Sequence, residues 1–261
     1  MKTISSRDNP VYKELKQLAT SSQARRKAGR TLLDGVHLCQ VFLQQVGRPP
    51  LCVVADNALS HPEVAAIVRG CETEQVQCIV LPSALYQTIS QVENGVGLLF
   101  VIETPATQVP AVLEQSAVLL DSIQDPGNLG SILRSAAAAG IKQVLCSNGT
   151  VFAWAPKVLR AGMGAHFELS IMENVDLAPL MRSSHIPILA TSSHASQRVY
   201  EINLTRPVAW LFGHEGQGIA DELLALATHR VSIPHLGMME SLNVAASASI
   251  CLFEQVRQKT S

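Results

Sequence analysis

Ile233-Pro234-His235-Leu236-Gly237-Met238-Met239-Glu240-Ser241-Leu242-Asn243 joins the end of a β-branched strand to a helix of very small side chains. Arg230 to Ile233 reads as the strand end, Pro234 lacks the N–H that would continue a ladder, and Ser241 has the side chain of a helix N-cap. The helix predicted from there to about Arg257 opens with Ala245, Ala246, Ser247, Ala248 and Ser249, so other backbone can approach nearly every side of it. A loop at the carboxyl end of a strand, followed by a helix N-terminus, is where open α/β sheets place their ligands. The same residues also describe a well-capped terminal helix packed on a sheet.

Composition sets the outer limits. The 261 residues suit two domains, and 47% hydrophobic content with 16% charged predicts well-buried sheets. The longest apolar runs, such as Val118–Leu120 and Gly97–Ile102, fall far short of a membrane span, and the first residues have no apolar signal core, so a cytoplasmic protein is expected. Six cysteines (Cys39, Cys52, Cys71, Cys78, Cys146, Cys251) lie in mostly apolar contexts with no C-x-x-C pair and read as reduced, buried thiols with no metal to hold. The net charge of −1 hides an asymmetry. Residues 1–30 carry Lys2, Arg7, Lys13, Lys16, Arg25, Arg26, Lys27 and Arg30 against Asp8 and Glu14, a surplus of six, which leaves −7 on the remainder. A basic arm on an acidic body fits phosphate contact through Arg25, Arg26, Lys27 and Arg30, or else a solvated helix end.

In order, the pattern predicts a helix over Pro10–Arg26, a strand at Thr31–Asp34, a helix over Val36–Val46, and then strands at Leu51–Ala55, Cys78–Leu81 and Gly97–Ile102. Helices at Pro62–Arg69 and Ala84–Gln91 alternate with them. This is a small α/β domain, residues 1–102. Glu103-Thr-Pro-Ala-Thr-Gln-Val-Pro110 begins a linker over 103–116, and a second α/β domain occupies 117–261.

The second domain opens with the apolar run Ala117-Val-Leu-Leu-Asp-Ser-Ile123, a central parallel strand by composition. In Gln124-Asp-Pro-Gly-Asn128-Leu-Gly-Ser-Ile-Leu-Arg134, Asp-Pro-Gly turns the chain, Asn128 caps a helix that Gly140 ends, and Leu129, Ile132, Leu133, Ala136, Ala137 and Ala139 share the core face. Arg134 lies off that face, with a side chain long enough to reach back toward Asn128. Further strands fall at Gln143–Cys146, Ile186–Thr191, Val208–Phe212 and Arg230–Ile233, with helices near 155–162, 176–184 and 219–228. Strand 208–212 enters Gly213-His-Glu-Gly-Gln-Gly218, where three glycines free the backbone to bend and to offer N–H groups to a ligand. The spacing is neither a dinucleotide fingerprint nor a P-loop, and no G-x-S-x-G elbow occurs.

Taken together, Asp125-Pro-Gly-Asn-Leu-Gly-x-x-Leu-Arg134, Phe212-Gly-His-Glu-Gly-Gln-Gly218 and Ile233-Pro through Glu240-Ser-Leu-Asn-Val244 resemble, in order and spacing, the three motifs of the SpoU/TrmH family of RNA ribose 2′-O-methyltransferases. The similarity covers about residues 115–258. Pro156–Phe167 resembles the additional segment found between the first two motifs, and the N-terminal region resembles, more weakly, a ribosomal-protein-like substrate-binding module. The resemblance implies S-adenosylmethionine as donor, a trefoil knot at the C-terminus, and a homodimer. It implies a structured RNA as substrate, 23S ribosomal RNA favoured over transfer RNA. By motif match Asn128, Arg134, Glu215, Ser241 and Asn243 form the polar site, and Gly213, Ile233 and Leu242 line the donor pocket. Ala245, His235 and Gly162 depart from common family residues without touching that polar set.

The chemistry this implies is displacement at an activated methyl carbon by a ribose hydroxyl, which asks mainly for alignment and help with a proton. An arginine stays protonated, which favours Arg134 as a clamp on phosphate, although the family is often described with this arginine as the activating base. The competing reading is a non-catalytic RNA-binding protein that keeps the fold.

Overall fold

The computed structural model describes residues 1–92 and 95–260. They form two compact units, Met1–Ala106 with Trp154–Phe167, and Thr107–Ala153 with Glu168–Ser261.

In the first unit β1 (Lys2–Thr3), β2 (Arg30–Asp34), β3 (Leu51–Ala55), β4 (Gln77–Leu81) and β5 (Leu98–Glu103) form a sheet in the order β1-β4-β3-β5-β2. The first three in that order are parallel, and β5 runs antiparallel between β3 and β2. Helices α1 (Pro10–Thr20), α2 (Ser22–Ala28), α3 (Val36–Gln45), α4 (Pro62–Thr73) and the single turn α5 (Ser83–Tyr86) join these strands.

The helix expected over Pro10–Arg26 is two helices. Ser21 is extended (φ −124°, ψ 117°); its N–H closes α1 on Gln17 O, and its hydroxyl accepts from Ala24 N at 3.1 Å to start α2. That break has a consequence for the basic arm. Arg25 is turned inward, only 6% exposed, and donates from Nη1 to Leu18 O at 2.6 Å and Ala19 O at 3.5 Å, satisfying carbonyls at the end of α1. Arg25 is therefore a buried structural donor, not the surface phosphate contact expected from its place in the run. The helix expected over Ala84–Gln91 stops after one turn because the buried Asp34 carboxylate takes Ser90 Oγ at 2.7 Å and Gln91 N at 3.1 Å.

In the second unit β6 (Ala117–Leu120), β7 (Gln143–Ser147), β8 (Ser170–Val175), β9 (Ile188–Thr191), β10 (Gln197–Arg198), β11 (Ala209–Phe212) and β12 (His229–Ser232) pair in parallel, in the order β10-β12-β9-β11-β6-β7-β8. The connections within this unit carry α6 (Pro126–Ala138), α8 (Leu177–Arg182) and α9 (Asp221–Leu226), α10 (Val244–Thr260) follows β12, and α7 (Pro156–Gly162), between β7 and β8 in the chain, belongs to the first unit. Every residue of β6 and β11 is buried, as a parallel sheet covered on both faces requires. Ala117, Leu119, Ala209 and Leu211 join the core made with α8 and α9. The alternate residues face the other way, where Trp210 Nε1 donates to Gln255 Oε1 of α10 at 2.9 Å and Ser135 of α6 meets Ser249 of α10 at 2.8 Å.

The second compact unit is interrupted in sequence between Ala153 and Glu168. Residues 154–167 belong to the first unit: Thr31 Oγ1 donates to Trp154 O at 2.7 Å, and Phe42 and Phe167 meet edge to face at 5.3 Å. All six cysteines are buried free thiols, and among the described residues no helix is long and apolar enough to cross a membrane.

The connection leaving β6 runs to β7 on one side, while that leaving β11 runs to β12 on the other. Two neighbouring strands whose connections diverge open a crevice at their carboxyl ends.

Candidate active site

Three corners meet at that crevice. After β6 the N-cap is Asp125, whose Oδ1 accepts from Asn128 N at 2.8 Å, with Pro126 in the first helical position. The sequence assigned the cap to Asn128; with Asp125 in that role, the Asn128 side chain is released for other partners. After β11 comes the Gly213–Gly218 turn, and after β12 the loop 233–243. This loop starts α10 at Val244 with Asn243 as its cap, not Ser241: Asn243 Oδ1 accepts from Ala245 N at 2.9 Å and Ala246 N at 3.2 Å.

One hydrogen-bonded chain ties the corners together. Glu215 Oε1 accepts from Asn128 Nδ2 and Asp125 N, both at 3.0 Å, and its Oε2 accepts from Gln124 N at 3.1 Å. Asn128 Oδ1 accepts from Asn243 Nδ2 at 2.9 Å. The orientation of both amides follows from the partners. Asn243 Oδ1 faces two backbone donors, so its nitrogen must face Asn128 Oδ1, which turns the Asn128 nitrogen to the carboxylate. Partial burial opposes ionisation of Glu215, but the bonds from Asn128, Asp125 and Gln124 outweigh it and hold the carboxyl below its ordinary range.

The cleft beside this chain has a volume of about 660 Å³. Asn128, Glu215, Ser241 and Asn243 line it, as do Gly213, Ile233 and Leu242, so seven of the eight residues expected from the three motifs converge on one cavity. Arg134 is the exception. It is exposed on α6, does not line the cleft, and makes no hydrogen bond or ion pair among the described residues, so the expected reach back to Asn128 is not made. Ile219, Leu224 and Val231 give the cavity an apolar wall, and Thr191, Ser192 and Ser193 a hydroxyl-bearing one. Nothing in the sequence marks Thr191, Ser192 and Ser193, because short serine- and threonine-rich loops carry no signal apart from the fold that places them.

Gly213 is glycine for a steric reason: a Cβ there would come within 2.4 Å of Gly218 C and Ile219 N. Gly213→Ala is expected to shift that backbone, costing about 2 kcal/mol or more and abolishing ligand binding; thermal melting and calorimetry check it. The turn does not present its amides to a ligand as the glycine spacing suggested. His214 and Gly218 exchange backbone hydrogen bonds at 3.0 and 2.9 Å, and the amides of Gly216 and Gln217 both point to His214 Nδ1. His235 Nδ1 donates to Met239 O at 3.1 Å and so braces its own loop.

A doubly covered parallel sheet with a cleft at the point where its connections diverge, crossed by a carboxylate–amide–amide chain, defines an α/β ligand-binding protein. The chain belongs to the SpoU rRNA methylase family, whose model matches residues 115–253. An uncharacterised tRNA/rRNA methyltransferase of Synechocystis is 32% identical over 98% of this chain and 94% of its own length. The 23S rRNA (guanosine(2553)-2′-O)-methyltransferase RlmP of Bacillus subtilis is 28% identical over 97% of this chain and 98% of its own. The crystal structure of an AdoMet-bound rRNA methyltransferase from Sinorhizobium meliloti, 25% identical, matches with a TM-score of 0.85 over 100% of this chain and 99% of that one. The resemblance drawn from the three motifs is thus borne out.

Proposed function

We propose that this protein transfers the methyl group of S-adenosylmethionine to a ribose 2′-hydroxyl of 23S ribosomal RNA. The observation that carries the reading is the Glu215–Asn128–Asn243 chain, which brings all three motifs to one cleft in a member of this family. The named relative that methylates 23S rRNA matches along nearly its whole length, which supports rRNA over tRNA. The cleft has the size of a small-molecule site. Ile219, Val231 and Ile233 would pack the donor's aromatic base, with Gly213 and Leu242 beside it, and the nearby Glu215 carboxylate favours a cationic centre.

Bound there, S-adenosylmethionine supplies a methyl carbon already activated by its sulfonium. The work left to the chain is orientation. Asn128 is held by Glu215 on one side and Asn243 on the other, so its side chain stands in a single orientation against the reacting ribose, with Ser241 completing the polar rim. Arg134 holds the adjacent phosphate and lowers the cost of charge developing on the ribose oxygen.

The first unit is a ribosomal-protein-like RNA-binding module, and Arg26, Lys27 and Arg30 contact RNA phosphates. Arg26 and Lys27 are exposed at the end of α2, while Arg30 shares a surface ion pair with Glu14 at 3.4 Å. Replacing Lys27 by alanine is expected to weaken RNA binding and to reduce the salt slope of log K by about one; Arg25→Ala leaves that slope unchanged and lowers thermal stability, by about 2 kcal/mol. Filter binding across a salt series and melting curves separate the two. Loop 233–243 and α10 complete a trefoil knot, which accounts for the small residues Ala245, Ala248 and Ser249 on a helix packed against α6. The protein is a cytoplasmic homodimer, with Leu236, Met238, Met239 and Phe253, all exposed here, as the apolar surface available to a second copy.

The test is methyl transfer from radiolabelled donor to unmodified ribosomal and transfer RNA, assayed separately. Label in the large-subunit rRNA alone is the expected result. Label confined to tRNA moves the substrate class, donor binding without transfer to either points to an RNA in an assembly intermediate, and absence of both labelling and donor binding favours the non-catalytic RNA-binding reading.

A further inference from the structure

We propose that His214 is a positioning residue that sets affinity for the methyl donor by fixing the shape of the Gly213–Gly218 turn. The inference rests on the reading of the cleft as the donor site.

The chain leaves β11 at Phe212 and reverses within a few residues. The reversal is closed at its base by the paired backbone bonds of His214 and Gly218, with Gly218 at φ +74°. At the base the strands are so close that the place of a Gly213 Cβ is filled by Gly218 and Ile219 backbone. What remains is the tip, where the amides of Gly216 and Gln217 point inward with no carbonyl opposite. His214 Nδ1 accepts both, at 2.9 and 3.2 Å. A backbone amide can only donate, so Nδ1 is unprotonated and the ring proton lies on Nε2. One side chain therefore sets the tip of the turn.

Two groups depend on that tip. Glu215 lies within it, and its carboxylate accepts from Asn128 Nδ2 at 3.0 Å from this position. Gly216, Gln217 and Ile219 form part of the cleft wall. Residues 215–218 are exposed, so without the imidazole water takes the freed amides. Global stability then barely moves, while the turn samples many shapes and the wall must be ordered again on each binding event. Asparagine at this position restores an acceptor, since its Oδ1 reaches amides two and three residues ahead.

The experiment uses the full chain as wild type, His214→Ala and His214→Asn, with S-adenosylhomocysteine titrated calorimetrically and amide exchange followed over residues 213–219. The expected Kd rises about tenfold in the alanine variant and returns to within about threefold of wild type with asparagine. Exchange at Gly216 and Gln217 should speed up and recover in parallel. In methyl transfer the donor KM carries the effect, and kcat at saturating donor stays within about threefold. Unchanged Kd in the alanine variant, or an asparagine variant as weak as alanine, overturns the proposal. If the alanine variant does not fold, the asparagine variant decides: affinity near wild type sustains the proposal and a tenfold loss ends it. A wild type that binds no S-adenosylhomocysteine overturns the donor reading and the affinity claim with it, and is recognised because exchange at the turn would still respond to His214→Ala.

Discussion

Arg134→Ala is expected to slow methyl transfer at saturating donor by about 10²–10³-fold while thermal stability and donor affinity stay within error of wild type. The core face of α6 is made by Leu129, Ile132, Leu133 and Ala136, and Arg134 stands outside it, exposed and without an intramolecular partner among the described residues. Truncating such a side chain removes little packing, and surface changes of this kind stay within about 0.5 kcal/mol. The residue lies outside the cleft lining, so its truncation is expected to leave donor affinity unchanged. Six residues of helix put its Cα about 9 Å along the axis from that of Asn128, a separation suited to gripping the phosphate next to a ribose held at Asn128. Lysine keeps the charge but not the planar fork, so Arg134→Lys should recover only part of the rate. Single-turnover kinetics beside calorimetry check this; a loss of donor affinity that tracks the loss of rate would move Arg134 into the donor site.

Glu215→Gln should cut transfer by about 100-fold and lower stability by about 1–2 kcal/mol. Three donors, Gln124 N, Asp125 N and Asn128 Nδ2, converge on the two carboxylate oxygens. A glutamine must set its own NH₂ against one of them, and it frees Asn128 to turn away from Asn243. The effect on stability carries a pH signature. The folded carboxyl lies below its ordinary value, so it stabilises the protein at pH above the unfolded carboxyl value of about 4.3 and loses that contribution as pH falls through the folded one. The stability difference between wild type and Glu215→Gln should therefore be flat from about pH 6 to 8 and shrink below about pH 4.3, read by denaturant unfolding at several pH values. A difference that grows on acidification would contradict the assignment of Glu215 as the anionic acceptor.

Apolar runs revealed most of the sheet, because strands buried on both faces leave no polar alternation to confuse: Ala117–Leu120 and Ala209–Phe212 lie within the stretches read as strands. β8 was missed because Glu173 and Asn174 interrupt it, and β1 and β10, two residues each, are strands only because neighbours pair with them. The site was legible as motifs but not as bonds. Asn128 and Ser241 look like caps, and only tertiary placement shows that Asp125 and Asn243 cap instead, leaving the Asn128 side chain to bond Glu215 on one side and Asn243 on the other. Nothing in the GHEGQG stretch announces that the His214 imidazole takes the amides of its own turn. Arg25 reads as surface charge in a basic run until the break at Ser21 turns it inward.

The most direct measurement is the chemical position of the transferred methyl group. RNA labelled by the enzyme is hydrolysed in alkali, which cleaves a phosphodiester only where the neighbouring 2′-hydroxyl is free. Label recovered in alkali-resistant dinucleotides from 23S rRNA is the predicted result. Label recovered in mononucleotides would place the methyl on a base and contradict ribose methylation at the Asn128–Glu215–Asn243 site.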